Sequence, residues 1–452
     1  MDARCEDESQ IKATPHSGAA IDLDKAVFVL SDGLDYVGQD SLHHGKRVGY
    51  LAVACAREAG LAEHWTADLA RASLLHDIGL SSSRDRSSML SFMTRGSTEP
   101  HSIAGEQYLR EVPCLAPLAP VVRLHHTRWA EMEARQDERT ALLANVIHLA
   151  DRLDALLGGN STLPLKDRLA EVRAMLAVRR GRDFAPLLVD ALARLVEGPV
   201  ADVAQGTGFQ GFWDHRNGLS APAPLSAEEL FRLARLFARV VDAKSTHTAE
   251  HSHEVSNFAV RLGKILGLRH EAVLELELAG LVHDLGKLAV PDEVLDKPGP
   301  LDPDERRVMQ RHAAEGERLL SRIPGLERVA RLAGMHHERL DGRGYPNGLR
   351  GDEIPIEASV IAVADVFQAL VQDRPYRSGM SPEAAAGVLR DLAREGALHP
   401  AVVAAACDPS QGLLQPPSAP RLSPGARDGY VLRRDESPRA QRRVHLGQIQ
   451  PV

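Results

Sequence analysis

The chain carries one set of metal-ligand residues twice, in the same order. His44, His76-Asp77, His101, His125-His126 and Asp151 are followed by His251, His283-Asp284, His312, His336-His337 and Asp365. The offsets between partners are 207, 207, 211, 211 and 214 residues, so only two small insertions separate the copies. A repeat whose fixed points are all His and Asp implies two units of one fold, each with its own metal site.

Composition narrows what those units are. The length of 452 residues fits two to three domains, and 44% apolar residues can bury a core in each. Aromatics make up only 4%, and the apolar residues recur at helical spacing, which predicts an all-α fold of two tandem helical bundles. Ser226 and Glu229 form a capping-box signature ahead of Leu230, Leu233, Ala234, Phe237, Val240 and Val241, all on one helix face. Asp302, Pro303 and Glu305 mark a second start, ahead of the helix carrying His312. Residues 201–225 are rich in Gly, Pro and Ala and read as a linker between halves at 25–200 and 226–408. Residues 1–24 and 409–452 lack periodic apolar residues and read as disordered ends.

Four dispersed cysteines (Cys5, Cys55, Cys114, Cys407) form no CxxC pair, which points to a reducing compartment, with the cytoplasm as the expected location. No window approaches 18 apolar residues and the first 24 are polar, so neither a membrane span nor a secretion signal is expected. A net charge of -8 disfavours a nucleic-acid polymer as partner, so any phosphate substrate must be held by local cations.

Adjacent His-Asp on an apolar helix, as in ASLLHDIG and AGLVHDLG, puts an imidazole and a carboxylate near the core, where an unpaired charge is costly and a bound cation removes the cost. Mixed nitrogen and oxygen donors suit Fe, Mn or Zn rather than Ca or Mg. Two such ions, roughly 3.5–4 Å apart, generate hydroxide and clamp both oxygens of an in-line displacement at phosphorus. His247 and Asp40, each four residues before the first ligand of its set, are further ligand candidates on the same helical face.

With these residues in place, residues 247–405 resemble the HD-GYP family of cyclic-dinucleotide phosphodiesterases. The segments HTAEHSHEV, LVHDLGK, VLDKPGPLDPDE, HAAEGERLL, HHERLDGRGYPNGL, IAVADVFQAL and DRPYR follow that family's order. The resemblance implies a core of about five helices holding two or three iron or manganese ions on His251, His283, Asp284, His312, His336, His337 and Asp365, with His247 at a position that ligates in trinuclear members. It places a phosphate-binding lysine on Lys287 and a phosphate clamp on Arg374 and Arg377. The turn with Gly344, Tyr345 and Pro346 would border the substrate. One departure is Gln368, where many members carry Asp.

The first half resembles the broader HD superfamily. HHGKRV, LLHDIG, HSIAGEQYL, HHTRW and HLADRLDAL keep the full ligand set and Asp154, the counterpart of Gln368. Leu80 replaces the lysine, TRWAEMEARQ replaces the GYP turn, and GGNSTLP stands in for RPYR. A second metal centre without cyclic-dinucleotide chemistry is therefore expected there.

The expected activity is hydrolysis of cyclic di-GMP to pGpG and onward to GMP by the second half, in bacterial second-messenger signalling. Asp284 and Lys287 carry the catalytic roles. The alternatives are 3',3'-cyclic GMP-AMP or another nucleotide as substrate, or a receptor without catalysis. A second copy of the chain or a signalling protein is the expected protein partner.

Overall fold

The structure, a computed structural model, describes residues 21–36, 43–80, 100–132, 136–157, 163–214, 224–244, 250–373 and 378–414. Among these residues the regular structure is helical, and extended pairing is confined to isolated bridges. Six helices frame the ligand residues of the first half: α1 (Leu23–Leu34), α2 (His44–Glu58), α3 (Thr66–Leu75), α4 (Pro100–Arg110), α5 (Ala119–Leu124) and α6 (Glu138–Leu157). The second half repeats them as α7 (Ala227–Lys244), α8 (His251–Ile265), α9 (His270–Val282), α10 (Pro303–Leu320), α11 (Glu327–Gly334) and α12 (Ile356–Val371). The all-α tandem expectation holds.

The helix starts follow their sequence signals. Asp302 accepts from the amides of Asp304 and Glu305 at 2.8 and 2.9 Å, and Glu305 accepts from Asp302 N at 2.8 Å. Such a box contributes about 1 kcal/mol and fixes where α10, and so His312, begins. Glu229 likewise accepts from Ser226 N at 2.9 Å at the head of α7. The six apolar residues read onto one face of α7 are all buried.

In each half the helix bearing the last aspartate is central: α12 lies along α8 as α6 lies along α2, and α12 is buried from Ala358 to Leu370. The glycine after each His-Asp pair permits this packing. A Cβ on Gly79 or Gly286 would lie 2.0 or 1.9 Å from the carbonyl oxygen of His101 or His312, so only glycine lets the His-Asp turn approach the helix carrying the next ligand.

The halves share one apolar core. Helix α1 packs on α3 of its own half and also on α10 and the turn Leu285–Ala289 of the other. Leu225 N donates to Ile21 O at 2.8 Å, and Asp32 of α1 pairs with both Lys46 of α2 and Arg322, which follows α10. Of the segment expected as a linker, residues 201–214 are folded, and residues 215–223 lie outside the described residues. Helices Ala201–Ala204 and Phe209–Asp214 lie on the first half, where Trp213 is buried and donates from Nε1 to Lys46 O at 3.0 Å. The Gly and Pro content hid the two aromatics, Phe209 and Trp213, that anchor the segment. The expected ends shift too: Ile21 and Leu23 are buried at the start, and Leu413 is buried beyond 408.

Candidate metal centres

Each half gathers the seven predicted ligands that lie among its described residues into one cluster. In the second half, Asp284 sits at the end of α9, and its two oxygens face different histidines. Oδ1 lies 3.6 Å from His312 Nε2 and 3.9 Å from His336 Nε2, whereas Oδ2 lies 3.4 Å from His283 Nε2 and 3.9 Å from His251 Nε2. Asp365 divides in the same way, with Oδ1 3.3 Å from His251 and Oδ2 3.9 Å from His337. The first half reproduces the pattern. Asp77 Oδ1 is 3.6 Å from His101 and 3.9 Å from His125, and its Oδ2 is 3.6 Å from His44 and 3.5 Å from His76. Asp151 Oδ1 faces His44 at 3.5 Å and its Oδ2 faces His126 at 4.0 Å.

The donor chemistry fits cations. His283, His312 and His336 each donate from Nδ1 to the carbonyl three residues back, at Gly280, Met309 and Ala333. A carbonyl can only accept, so Nδ1 carries the proton and Nε2 turns inward, the arrangement that orients metal-ligating histidines. Burial pushes His312 down to about 4 and His336 well below its ordinary range, so both rings are neutral. Their Nε2 lone pairs then face each other at 3.1 Å, a repulsive contact that a cation between them turns favourable. His76 and His125 make the same backbone bonds, to Ser73 and Val122, in the first half. Groups of His and Asp donors spaced to hold an ion occur in both halves.

The first ligand of each set enters through an unusual backbone. His43 and Glu250, directly before His44 and His251, have φ of 68° and 74°, a left-handed conformation costly for non-glycine residues and typical of functional sites. Lys287 is buried one turn beyond His283, with Nζ 2.7 Å from Asp284 Oδ2. It neutralises the carboxylate rather than pointing into open space. At the same place in the first half Leu80 is buried.

The GYP turn stands over the second centre. Tyr345 lies against His337 with ring centroids 4.7 Å apart, and burial raises its phenol above its ordinary range. Glu338, next to the ligands, accepts from Asn347 N and Leu349 N at 2.7 and 3.0 Å and ties the turn down. A cavity of about 250 Å³ opens beside His336, His337, Gly344 and Tyr345. Pro346 follows in the same turn. Asp40, His247, Arg374 and Arg377 lie outside the described residues.

Residues 42–156 and residues 235–402 each match a family model described as HD domain. The 3'3'-cGAMP-specific phosphodiesterase 1 of Vibrio cholerae is 36% identical over 377 residues, covering 82% of this chain and 88% of that protein. This chain belongs to the HD-GYP family, with an HD domain ahead of the GYP-bearing one. The cyclic di-GMP phosphodiesterase response regulator RpfG of Xanthomonas campestris pv. campestris is 44% identical over 159 residues, 35% of this chain and 42% of that protein. Among solved structures, a cyclic GMP-AMP-specific phosphodiesterase of V. cholerae (V-cGAP3) superposes with a TM-score of 0.59 at 26% identity, covering 86% of this chain and 97% of that one.

Apart from Asp154, the residues that surround the two clusters of this HD-GYP chain were not singled out from sequence. His251 Nδ1 meets Gln372 Oε1 at 3.1 Å, while its counterpart His44 donates to Asp154 Oδ2 at 2.8 Å, and Arg47 grips Asp154 with bonds of 2.6 and 2.9 Å. Asp35 and Asp242, related by the same 207-residue offset as the first ligands, are both pushed up to about 6 by burial next to those ligands. His148, three residues before Asp151, is buried with its ring 5.9 Å from that of His126. Applying the offsets to every residue, and not to the ligands alone, would have exposed the aspartate pair and the contrast of His148 with Ala362.

Proposed function

We propose that this chain hydrolyses 3',3'-cyclic GMP-AMP to a linear dinucleotide at its second centre, with cyclic di-GMP as the lesser substrate. The enzyme is a metal-dependent cyclic-dinucleotide phosphodiesterase. The observation that carries the substrate preference is the similarity to the cyclic GMP-AMP-specific relative, which runs through both halves rather than one domain. Cyclic di-GMP, the expectation from sequence, keeps the support of the 44% identity to RpfG, over a shorter stretch.

In this reading His251, His283, Asp284, His312, His336, His337 and Asp365 hold the divalent ions, and Asp284 spans two positions because its oxygens face separate histidines. The backbone bonds of His283, His312 and His336 keep Nε2 aimed inward, so the ligand set is preorganised. Iron or manganese suits the donors, and His247 is a candidate ligand for a further ion. When bound, such ions supply Lewis acidity toward the phosphate and lower the pKa of adjacent water. Lys287 adds a positive charge beside Asp284, available to a phosphate once cations share that carboxylate. Arg374 and Arg377 are proposed as a forked clamp on the second phosphate. The first half, with His44, His76, Asp77, His101, His125, His126 and Asp151, is proposed to hold ions without cutting cyclic dinucleotides, because Leu80 stands where the lysine would be.

The test is kcat/KM for both cyclic dinucleotides with the iron- or manganese-loaded chain. A preference of tenfold or more for 3',3'-cyclic GMP-AMP is expected, and a preference for cyclic di-GMP overturns the substrate assignment.

A further inference from the structure

Resting on the phosphodiesterase reading, we infer that the cavity beside His336 and His337 seats one guanine base of the substrate, and that Ala362 and Leu398 keep this seat open. Cavities for whole drug-sized ligands run from about 300 to 1,000 Å³. At about 250 Å³ this one suits part of a dinucleotide. Leu301, Met309, Leu392 and Leu398 give it apolar walls, which favour a flat aromatic ring over a phosphate. Lys287, the cation of the His-Asp turn, bonds Asp284 and does not line it.

The polar groups at the cavity divide by what they already hold. Glu338 is committed to the backbone of the GYP turn, and Arg339 to Asp341 at 2.8 Å. Arg306, Arg343 and Gln310 complete the polar lining and supply the recognition groups. A guanidinium can fork onto O6 and N7 of guanine, the pairing by which Arg reads that base in nucleic acids. Both candidate cyclic dinucleotides contain guanine.

The first half supplies the closed version of the same site. The 214-residue offset that relates Asp151 to Asp365 also relates His148 to Ala362 and Phe184 to Leu398. Ala362 and His148 each stand three residues before the aspartate on the central helix, and so share its face. Ala362 and Leu398 line the cavity, whereas His148 and Phe184 are buried with their rings 5.1 Å apart, edge to face. The segment replacing the GYP turn, helix Trp129–Met132, is pinned beside them by Trp129 N to Asp183 O and Ala130 N to Arg182 O at 3.0 and 3.1 Å. Two larger side chains thus fill in one half the place that two smaller ones leave open in the other.

The experiment transplants the closed version. Full-length Ala362→His and Ala362→Val are loaded with manganese, metal per chain is measured, and KM for the better cyclic dinucleotide is compared with wild type. Ala362→His is expected to raise KM at least tenfold at unchanged metal content, and Ala362→Val by a smaller factor. GMP is expected to inhibit the wild type more strongly than AMP, and Ala362→His to lose that inhibition. An unchanged KM in Ala362→His with metal retained overturns the inference. Should Ala362→His lose its metal, an unchanged KM in Ala362→Val does so instead. Equal inhibition by GMP and AMP overturns the guanine assignment. A wild-type chain that turns over no cyclic dinucleotide sinks the phosphodiesterase reading, whatever the variants do.

Discussion

The two halves place the same ligands at nearly the same distances and differ in what surrounds them. Asp77 and Asp284 each spread two oxygens over two histidine sets, with corresponding distances within about 0.3 Å. Around that shared centre the second half adds Lys287, the GYP turn and an open cavity. The first half adds Leu80, a pinned helix and the His148–Phe184 pair. The halves are alike where charge is held in the core, where an unpaired charge is costly, and unlike in what surrounds that centre. On the proposed reading, metal competence and catalysis are separable in this chain.

The most damaging test of that separation compares the two spanning aspartates. Asp284→Ala is expected to lower turnover by 10²-fold or more, since it removes a central charge from the reacting site. Asp77→Ala is expected to leave kcat within a few-fold while its half loses metal. Product chromatography and metal analysis read both. If Asp77→Ala abolishes turnover as fully as Asp284→Ala, the halves are not divided as proposed.

The ligand sets were legible in the sequence because His and Asp have few reasons to recur in order within an apolar helical chain. Helix starts at Ser226 and Asp302 were legible for a local reason, the capping side chains themselves. The fold of residues 201–214 was not, because Trp213 earns its place through a tertiary contact with Lys46 O that no local pattern encodes. The same holds for α1, whose seat against the turn Leu285–Ala289 depends on the other half. Lys287 was legible as a cation beside the His-Asp pair, but its bond to Asp284 arises only once the turn is built.

A second comparison of the halves concerns protons. Burial pushes His148 down to about 3, while Ala362 at the same place cannot titrate. A histidine whose folded pKa lies below its unfolded value of 6.5 contributes stability that is fully present above pH 6.5 and lost as pH falls toward the folded value. At pH 4 the loss spans about 2.5 pH units, on the order of 3 kcal/mol. Chelator-treated wild type is therefore expected to lose about that much more stability between pH 7 and pH 4 than His148→Phe, read from urea unfolding. Equal losses in the two proteins would mean that His148 is not held neutral in the fold.

The smallest expected effect separates the centres by the partner of their first histidine. His44 donates to a carboxylate, Asp154, which Arg47 holds in place, whereas His251 meets the amide oxygen of Gln372. A carboxylate partner makes the imidazole a stronger donor to a metal, and changes at such partners typically shift affinity by 10- to 100-fold. Asn at position 154 keeps an acceptor oxygen for His44 Nδ1 and removes only the charge, so the lower end of that range applies. Asp154→Asn is expected to weaken manganese binding in the first half about tenfold and to leave the second half unchanged, as measured by chelator competition on the full chain. Gln372→Glu should act in the opposite direction, tightening the second centre alone. Unchanged affinity in both variants would remove the carboxylate–amide contrast from the reasons the two centres differ, and leave Leu80 against Lys287 as the main electrostatic distinction between them.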